Sequence, residues 1–541
     1  MIMKNLFSAL FAFITVISTF AQKQKPNLIV GVVVDQMRFE YLSRFENHYS
    51  ENGFKRLIRE GFHAKNTHFS YIPTYTAPGH ASVFTGTTPA NHGIISNNWY
   101  HKEENKIVYC VADDNMTSIG VDGDDGKMSP YRMLTTTIAD QNRLHTQFRG
   151  KTFGISLKDR SSILPAGHTA NAAYWFSGGE NGKFISSSFY MNKLPKWVKD
   201  FNRETDKYLK TWNTLKPLET YIESGSDRNN YEKGFKGKED ATFPYDLKML
   251  ASQNDGYDIL KDTPFGNDML TDFAKEIILN ENLGQDEVTD FLTVSFSSTD
   301  YIGHNFGVNS KEIQDTYVRL DQNIADLLSY LDQKIGENNY TLFLTADHGA
   351  VHVPQYLKDH NIPAGYFDNK TFRRGVKEFV KNKFGTSVLV EGYSGNEIFF
   401  DYDELEENDV EADDLQEALY YYILQQDGID RVYTRDMIEG SDATSAFSNT
   451  IKNGFHPKRS GDIIYILEPS VISYSKQGST HGSYLNYDTQ APLIFYGNGI
   501  KNASSFHRYY IRDIAPTIAA LLGIAQPNGT TGQIIAEVIE D

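Results

Sequence analysis

The chain has 541 residues, with 52 Lys and Arg against 70 Asp and Glu, a formal charge of −18, and 40% hydrophobic residues. This is ordinary globular composition, and the length is ample for a large core, so a disordered tail, a collagen-like fibre and a disulfide scaffold are excluded. The acid excess argues against a partner that is a nucleic-acid polymer, because such binders carry a basic footprint. Any anionic ligand has to be drawn in by a local site.

At the N-terminus, Lys4 precedes an apolar run from Leu6 to Phe20, and Thr19 and Ala21 supply small residues at the −3 and −1 positions. This pattern predicts a signal peptide over residues 1–21, cut after Ala21, and a mature chain that is exported to the periplasm or secreted. The run is shorter than the about 20 residues a membrane span needs, and no later stretch supplies one. The single cysteine, Cys110, can form no internal disulfide and reads as a small buried side chain.

The run from Asn27 to Val34 is β-branched without alternation and ends in Asp35. Such a run predicts a strand buried on both faces, as in a parallel sheet. Two similar runs follow: Phe291 to Phe296, leading to Asp300, and Tyr340 to Leu344, leading into Thr345-Ala346-Asp347-His348-Gly349. Between them Ile313, Tyr317, Leu320, Ile324, Leu327, Leu328 and Leu331 form one apolar helical stripe. Asp462 to Leu467 and Pro492 to Tyr496 read as further strands, and Pro516 sits near the start of a helix that runs through Leu522 and stops at Gly523. The fold class is therefore α/β, a three-layer α/β/α sandwich, with residues 22–541 forming one catalytic domain. Residues of about 101–285 and 351–460 are expected to be inserted cap segments. The acidic run from Asp401 to Asp414 reads as a solvated helix start.

Ligands in open parallel sheets bind beyond the carboxyl ends of the strands, which is where Asp35, Asp300 and Asp347 fall. Asp300 and His304 stand four apart and share a face if that segment is helical. His348 adjoins Asp347, and His481 sits among small residues in Gly478-Ser479-Thr480-His481-Gly482. Carboxylate and imidazole ligands suit zinc and related metals. Six of them exceed one tetrahedral ion but suffice for two ions with open positions, the arrangement that clamps attacking and leaving oxygens in phosphoryl transfer. His63, His68, His80 and His352 are assigned structural roles. For a nucleophile, the small-residue turn from Pro73 to Ser82 offers Thr74, Thr76 and Ser82 at a helix N-terminus, where negative charge is favoured.

Together, VVVDQ at Asp35, TYTAPGHASVFTG around Thr76, STDYIGH at Asp300 and His304, TADHG at Asp347 and His348, and STHG at His481 resemble the alkaline phosphatase superfamily. Within it, the threonine and its Thr-x-Pro-x-His setting are similar to the type I phosphodiesterase/nucleotide pyrophosphatase branch, nearest to the bacterial PafA-type alkaline phosphatases. The resemblance implies two zinc ions, one held by Asp300, His304 and His481 and the other by Asp35, Asp347, His348 and the alkoxide of Thr76. It implies Thr76 as the nucleophile and Asn97 as a hydrogen-bond donor to a phosphoryl oxygen. It also implies no third metal, unlike the serine-dependent members, which add magnesium.

Lys158 and Arg160 match the Lys-x-Arg pair of the monoesterase members. A phosphate monoester is a dianion with three non-bridging oxygens, whereas a diester is a monoanion with one of those oxygens blocked. If the segment is extended, both cations point the same way, Arg gripping two oxygens and Lys supplying a point charge. The expected activity is hydrolysis of small phosphate monoesters through a phospho-threonine. A phosphodiesterase on the same metal core is the nearest alternative. A sulfatase would need Cys or Ser in a Cys-x-Pro-x-Arg context, which Cys110 lacks, and a catalytically dead binding protein fits poorly with a complete ligand set.

Overall fold

In the computed structural model, which describes residues 25–440 and 446–539, the run LIVGVVV forms strand β1 (Leu28–Val34), and all seven residues are buried. The signal peptide expected over residues 1–21 lies outside the described residues. Nine more strands join β1 in one sheet: β2 (Phe62–Ala64), β3 (Ser118–Ile119), β4 (Thr152–Ser156), β5 (Ala172–Ser177), β6 (Lys183–Ser187), β7 (Asp290–Phe296), β8 (Tyr340–Thr345), β9 (Leu493–Gly497) and β10 (Ala503–Ser505). Their spatial order is β10-β2-β9-β8-β1-β7-β4-β5-β6-β3.

The middle five strands, β8-β1-β7-β4-β5, run parallel. Register aligns their ends: Val34 pairs with Phe296, Val33 with Thr345, and Ser295 with Ser156. Asp35, Ser297, Ala346 and Leu157 therefore leave the sheet along one rim.

Helices α1 (Thr76–Thr85), α2 (Asp159–Ala166), α3 (Pro264–Asn280), α4 (Ser298–Phe306), α5 (Lys311–Lys334) and α6 (Ile514–Leu522) cover the sheet. α1 packs on α2 and α6, while α3 packs on α4 and α5, and β7 touches both α2 and α3. Two helical layers thus flank the strands, as the unalternating strand runs require. Burying each large aliphatic side chain is worth about 1.5–3 kcal/mol, so a two-sided cover stabilises β1 far more than an exposed face would allow. The predicted stripe of α5 is buried from Ile313 to Leu331, and Ser310 caps its start by accepting from Ile313 N at 3.1 Å. α6 stops at Gly523, whose φ of +59° is the left-handed end a glycine permits.

Two segments differ from expectation. The stretch of about 101–285 is not wholly outside the core: it supplies β3 to β6, α2 and α3. β4 reads TFGIS, five residues with only two large apolar side chains, so its burial left little trace in the pattern. Gly154 is required there, because a Cβ would lie 2.3 Å from Ser162 O in the helix packed above.

The strand found at Ile463–Leu467 belongs to a separate antiparallel sheet, in the order Val390–Ser394, Glu397–Phe400, Ile463–Leu467, Ile429–Thr434. Helices Asn369–Phe384 and Ala412–Leu424 pack with it around Val376, Leu415, Leu419 and Ile463. This cap therefore extends past residue 460. In its acidic run, Asp401 caps the helix Tyr402–Glu407 by accepting from Glu404 N at 3.0 Å.

Candidate active site

The strand rim assembles the predicted residues. Asp35 directly follows β1. Asp300 lies in the first turn of α4, and His304 follows one turn later on the same face, with Nε2 at 3.2 Å from Asp300 Oδ1. His481 Nε2 lies 3.7 Å from the same oxygen. Asp347 and His348 follow β8, and His348 Nε2 stands 3.4 Å from Asp35 Oδ1 and 3.5 Å from Asp347 Oδ2. The rings of His348 and His481 stack with centroids 3.4 Å apart.

Two groups bring three ligand atoms close together: Asp300, His304 and His481, and Asp35, Asp300 and His348. The first is the trio expected from sequence. In the second, Asp300 stands where the resemblance implied Asp347, so one carboxylate lies between both groups.

The donor chemistry fits cations. Each imidazole directs Nδ1 at a backbone carbonyl: His304 at Ser479 O (2.7 Å), His348 at Gly349 O (3.0 Å) and His481 at Thr74 O (2.8 Å). A carbonyl only accepts, so in the neutral ring Nδ1 carries the proton and Nε2 presents a lone pair. Those lone pairs face carboxylates, which also only accept. Asp35 Oδ1 and Asp347 Oδ2 are buried without a hydrogen-bond partner among the described residues.

Burial, reinforced by the charges of Asp300 and Asp347, pushes the Asp35 carboxyl well above the usual carboxylate range. Burial likewise pushes His481 well below its ordinary value, aided by His348. Asp300 goes the other way: burial would raise it, but His304 and Lys158 hold it well below. Three buried carboxylates this close are costly unless cations compensate them.

Thr76 opens α1, and its Oγ1 lies 3.4 Å from His348 Nε2. The other candidate hydroxyls are engaged elsewhere, Thr74 donating to Ser483 O at 2.9 Å and Ser82 paired with His92 Nε2 at 3.0 Å. Asn97 Oδ1 accepts from Ala77 N at 2.9 Å, which fixes which end of the amide is the acceptor and leaves Nδ2 as its donor end. Gly79 lets α1 approach the rim, since a Cβ there would lie 2.4 Å from the backbone oxygen of Asp347.

The Lys158–Arg160 segment is not extended. Lys158 ends the connection from β4, and Asp159 and Arg160 already belong to α2. Lys158 Nζ lies 2.7 Å from Asp35 Oδ2 and 2.5 Å from Asp300 Oδ2. Burial would lower its pKa, but Asp300 and Asp35 outweigh that and hold the ammonium charged.

Two residues went unread in the sequence. Gln36 takes a left-handed backbone, φ +63°, and from it donates N–H to Asp347 Oδ1 (3.1 Å) and Nε2–H to Asp300 Oδ1 (2.6 Å). His80, assigned a structural role, touches the centre: Nδ1 lies 2.9 Å from Thr76 O and 3.2 Å from Asp347 Oδ2, and Nε2 lies 2.8 Å from Ser295 Oγ. Its spacing of four from Thr76 was the available signal. Of the other three histidines set aside, His63 and His68 are buried in short sheet strands and His352 lines a surface cavity.

Residues 29–491 match the family model described as type I phosphodiesterase / nucleotide pyrophosphatase. The chain is 48% identical to the "Calcium-transporting ATPase" of Myroides odoratus, covering 96% of this chain and 95% of that one. It is 43% identical to alkaline phosphatase PhoV of Synechococcus elongatus, over 95% and 93%. The crystal structure of wild-type alkaline phosphatase PafA superposes with a TM-score of 0.92 at 41% identity, over 95% of this chain and 99% of that one. A solved variant of PafA has a threonine, an asparagine, a lysine and an arginine replaced. Their spacings equal those from Thr76 to Asn97 and from Lys158 to Arg160.

Proposed function

The chain belongs to the type I phosphodiesterase / nucleotide pyrophosphatase family, and we propose that within it this protein is an alkaline phosphatase, hydrolysing phosphate monoesters to an alcohol and inorganic phosphate. The observation that carries the reading is the meeting, on one rim, of the candidate Asp and His ligands, the Thr76 hydroxyl and the Lys158 ammonium, with Arg160 two residues further on in the first turn of α2.

Asp300, His304 and His481 would hold one zinc ion, and Asp35, Asp347 and His348 a second, with Asp300 close to both. When bound, the ions supply Lewis-acid stabilisation of the attacking and leaving oxygens. Thr76 Oγ1 bonds to phosphorus as the ester P–O bond breaks, and the proton it gives up ends on the departing alkoxide, which leaves as the alcohol. Water then attacks the phospho-threonine, releasing inorganic phosphate and restoring the hydroxyl. Asn97 Nδ2, Lys158 and Arg160 hold the three equatorial oxygens, so these residues act by position and charge.

This clamp separates the reading from a diesterase. Two cations and an amide donor match a dianion with three open oxygens, and a second ester would block one of them. The terminal phosphate of a nucleoside triphosphate presents the same three oxygens, so the ATPase in the name of the Myroides relative is compatible with this site. Among the described residues no helix is long and apolar enough to cross a membrane. Export through the segment 1–21 to the periplasm or medium is part of the proposal.

The test compares kcat/KM for an aryl phosphate monoester with that for the matching diester, on zinc-restored protein with a chelated control. A monoester preference lost on chelation is expected, and a diester preference would overturn the assignment. Thr76→Ala should lower monoester turnover at least about a thousandfold and abolish phospho-protein detectable by mass spectrometry after an acid quench.

A further inference from the structure

Arg160 does not reach the site alone. Resting on the proposed monoesterase reading, we infer that Tyr109 is the positioning residue for Arg160, fixing which edge of its guanidinium meets the phosphate. Tyr109 comes from the hairpin of Asn98–His101 and Lys106–Tyr109, where it pairs with Asn98. Beyond that pair, Cys110 N donates to Asn97 O at 3.0 Å. The hairpin thus joins Asn97, one arm of the clamp, by two backbone steps to Tyr109, which holds another.

The hydrogen bonds have only one consistent direction. Arg160 Nη1, which only donates, gives a hydrogen bond to Tyr109 Oη at 3.0 Å. The Tyr109 hydroxyl gives its own proton to Asp159 Oδ1, a carboxylate that only accepts. Burial, then the nearby charge of Asp159 against that of Arg160, holds the phenol well above its ordinary pKa, so the hydroxyl stays a donor in alkaline solution. Arg160 Nε is buried without a partner among the described residues. With one Nη1 proton given to Tyr109 and Nε unpaired, the Nε–Nη2 edge is the fork that can offer both of its protons to two phosphoryl oxygens. The charge of Asp159 is likewise absorbed by Tyr109 Oη and by Arg160 N, 2.5 Å away, rather than pairing directly with the guanidinium head.

Tyr109→Phe keeps the ring and removes this one bridge. Monoester kcat/KM and the affinity for inorganic phosphate, measured by calorimetry on zinc-restored protein, should both fall about tenfold, the size of one hydrogen bond to a charged group. In an Arg160→Ala background the same change should have no further effect. An unchanged phosphate affinity, or a tenfold loss repeated in the Arg160→Ala background, overturns the inference. Where the Phe variant melts lower than the parent, Asp159→Asn tests the same bridge by weakening the acceptor of the Tyr109 proton. A loss of about threefold in phosphate affinity supports the inference, and no loss overturns it. If the parent enzyme prefers diesters the function reading falls, while phosphate affinity across the Tyr109 and Arg160 variants still decides the role of Tyr109.

Discussion

Gln36 holds two carboxylates from a backbone conformation that is unfavourable for its residue type. A left-handed non-glycine residue costs about 1–2 kcal/mol. Its hydrogen bonds to Asp347 and Asp300 each return about 1.5–3 kcal/mol, so the strained geometry is the stable one. Gly303 belongs to the same arrangement, since a Cβ there would lie 1.8 Å from Gln36 Oε1. Residues that orient ligands in this way tune metal affinity by about ten- to a hundredfold. Gln36→Leu should therefore weaken zinc binding by that factor in a chelator-competition titration, and unchanged affinity would remove Gln36 from the centre. Nothing local in the sequence marks this residue. Its role depends on β8 lying beside β1 and on α4 folding back over the rim.

The elements differ in how much of the site they encode locally. Asp300 and His304 share a face because α4 is helical, and their spacing of four says so directly. His481 is carried by a loop, and Asp488 holds that loop by accepting from Gly482 N (3.1 Å) and Ser483 N (2.7 Å). Burial pushes the Asp488 carboxyl up to about 7. The folded pKa is thus above the unfolded value of about 3.9. The stability that comes from holding this proton is complete below about pH 4 and lost as the pH rises through 7. Asp488→Asn keeps an acceptor oxygen and carries no charge. It should match the parent near pH 4 and exceed it by about 4 kcal/mol at pH 9 in denaturant melts. A gain equal at both pH values would show that the buried charge is not the cause. The Lys158–Arg160 pair shows the limit of element-level reading: an extended segment would have set both cations on one side, but α2 begins at Asp159, so Lys158 precedes the helix and Arg160 lies in its first turn.

Across the whole molecule the net charge of −18 leaves the site to generate its own attraction for anions. Asp35, Asp347 and His348 are fully buried, so cations bound there link directly to folding. An ion bound only by the folded state adds about 4 kcal/mol at a thousandfold excess over its Kd. Chelation should lower the melting temperature together with activity, zinc should restore both, and magnesium alone should restore neither. A melting temperature unmoved by chelation would contradict metal-linked stability at this centre.

By itself the sequence determined the parts whose physics is local. The unalternating runs specified doubly covered strands, the stripe from Ile313 to Leu331 specified a helix, and the Asp and His after strand ends come together on one rim as candidate ligands. Each follows from side-chain periodicity along a few residues. Only the tertiary structure decided that β4 lies inside the sheet, that Ile463–Leu467 belongs to the cap, that Asp300 stands between both candidate ligand groups, that Gln36 and His80 touch these carboxylates, and that Tyr109 bridges Arg160 and Asp159. Those outcomes depend on which strands neighbour one another and which helices fold over the rim. These are long-range pairings, and a short apolar segment, a lone amide or a lone phenol carries no periodic mark of them.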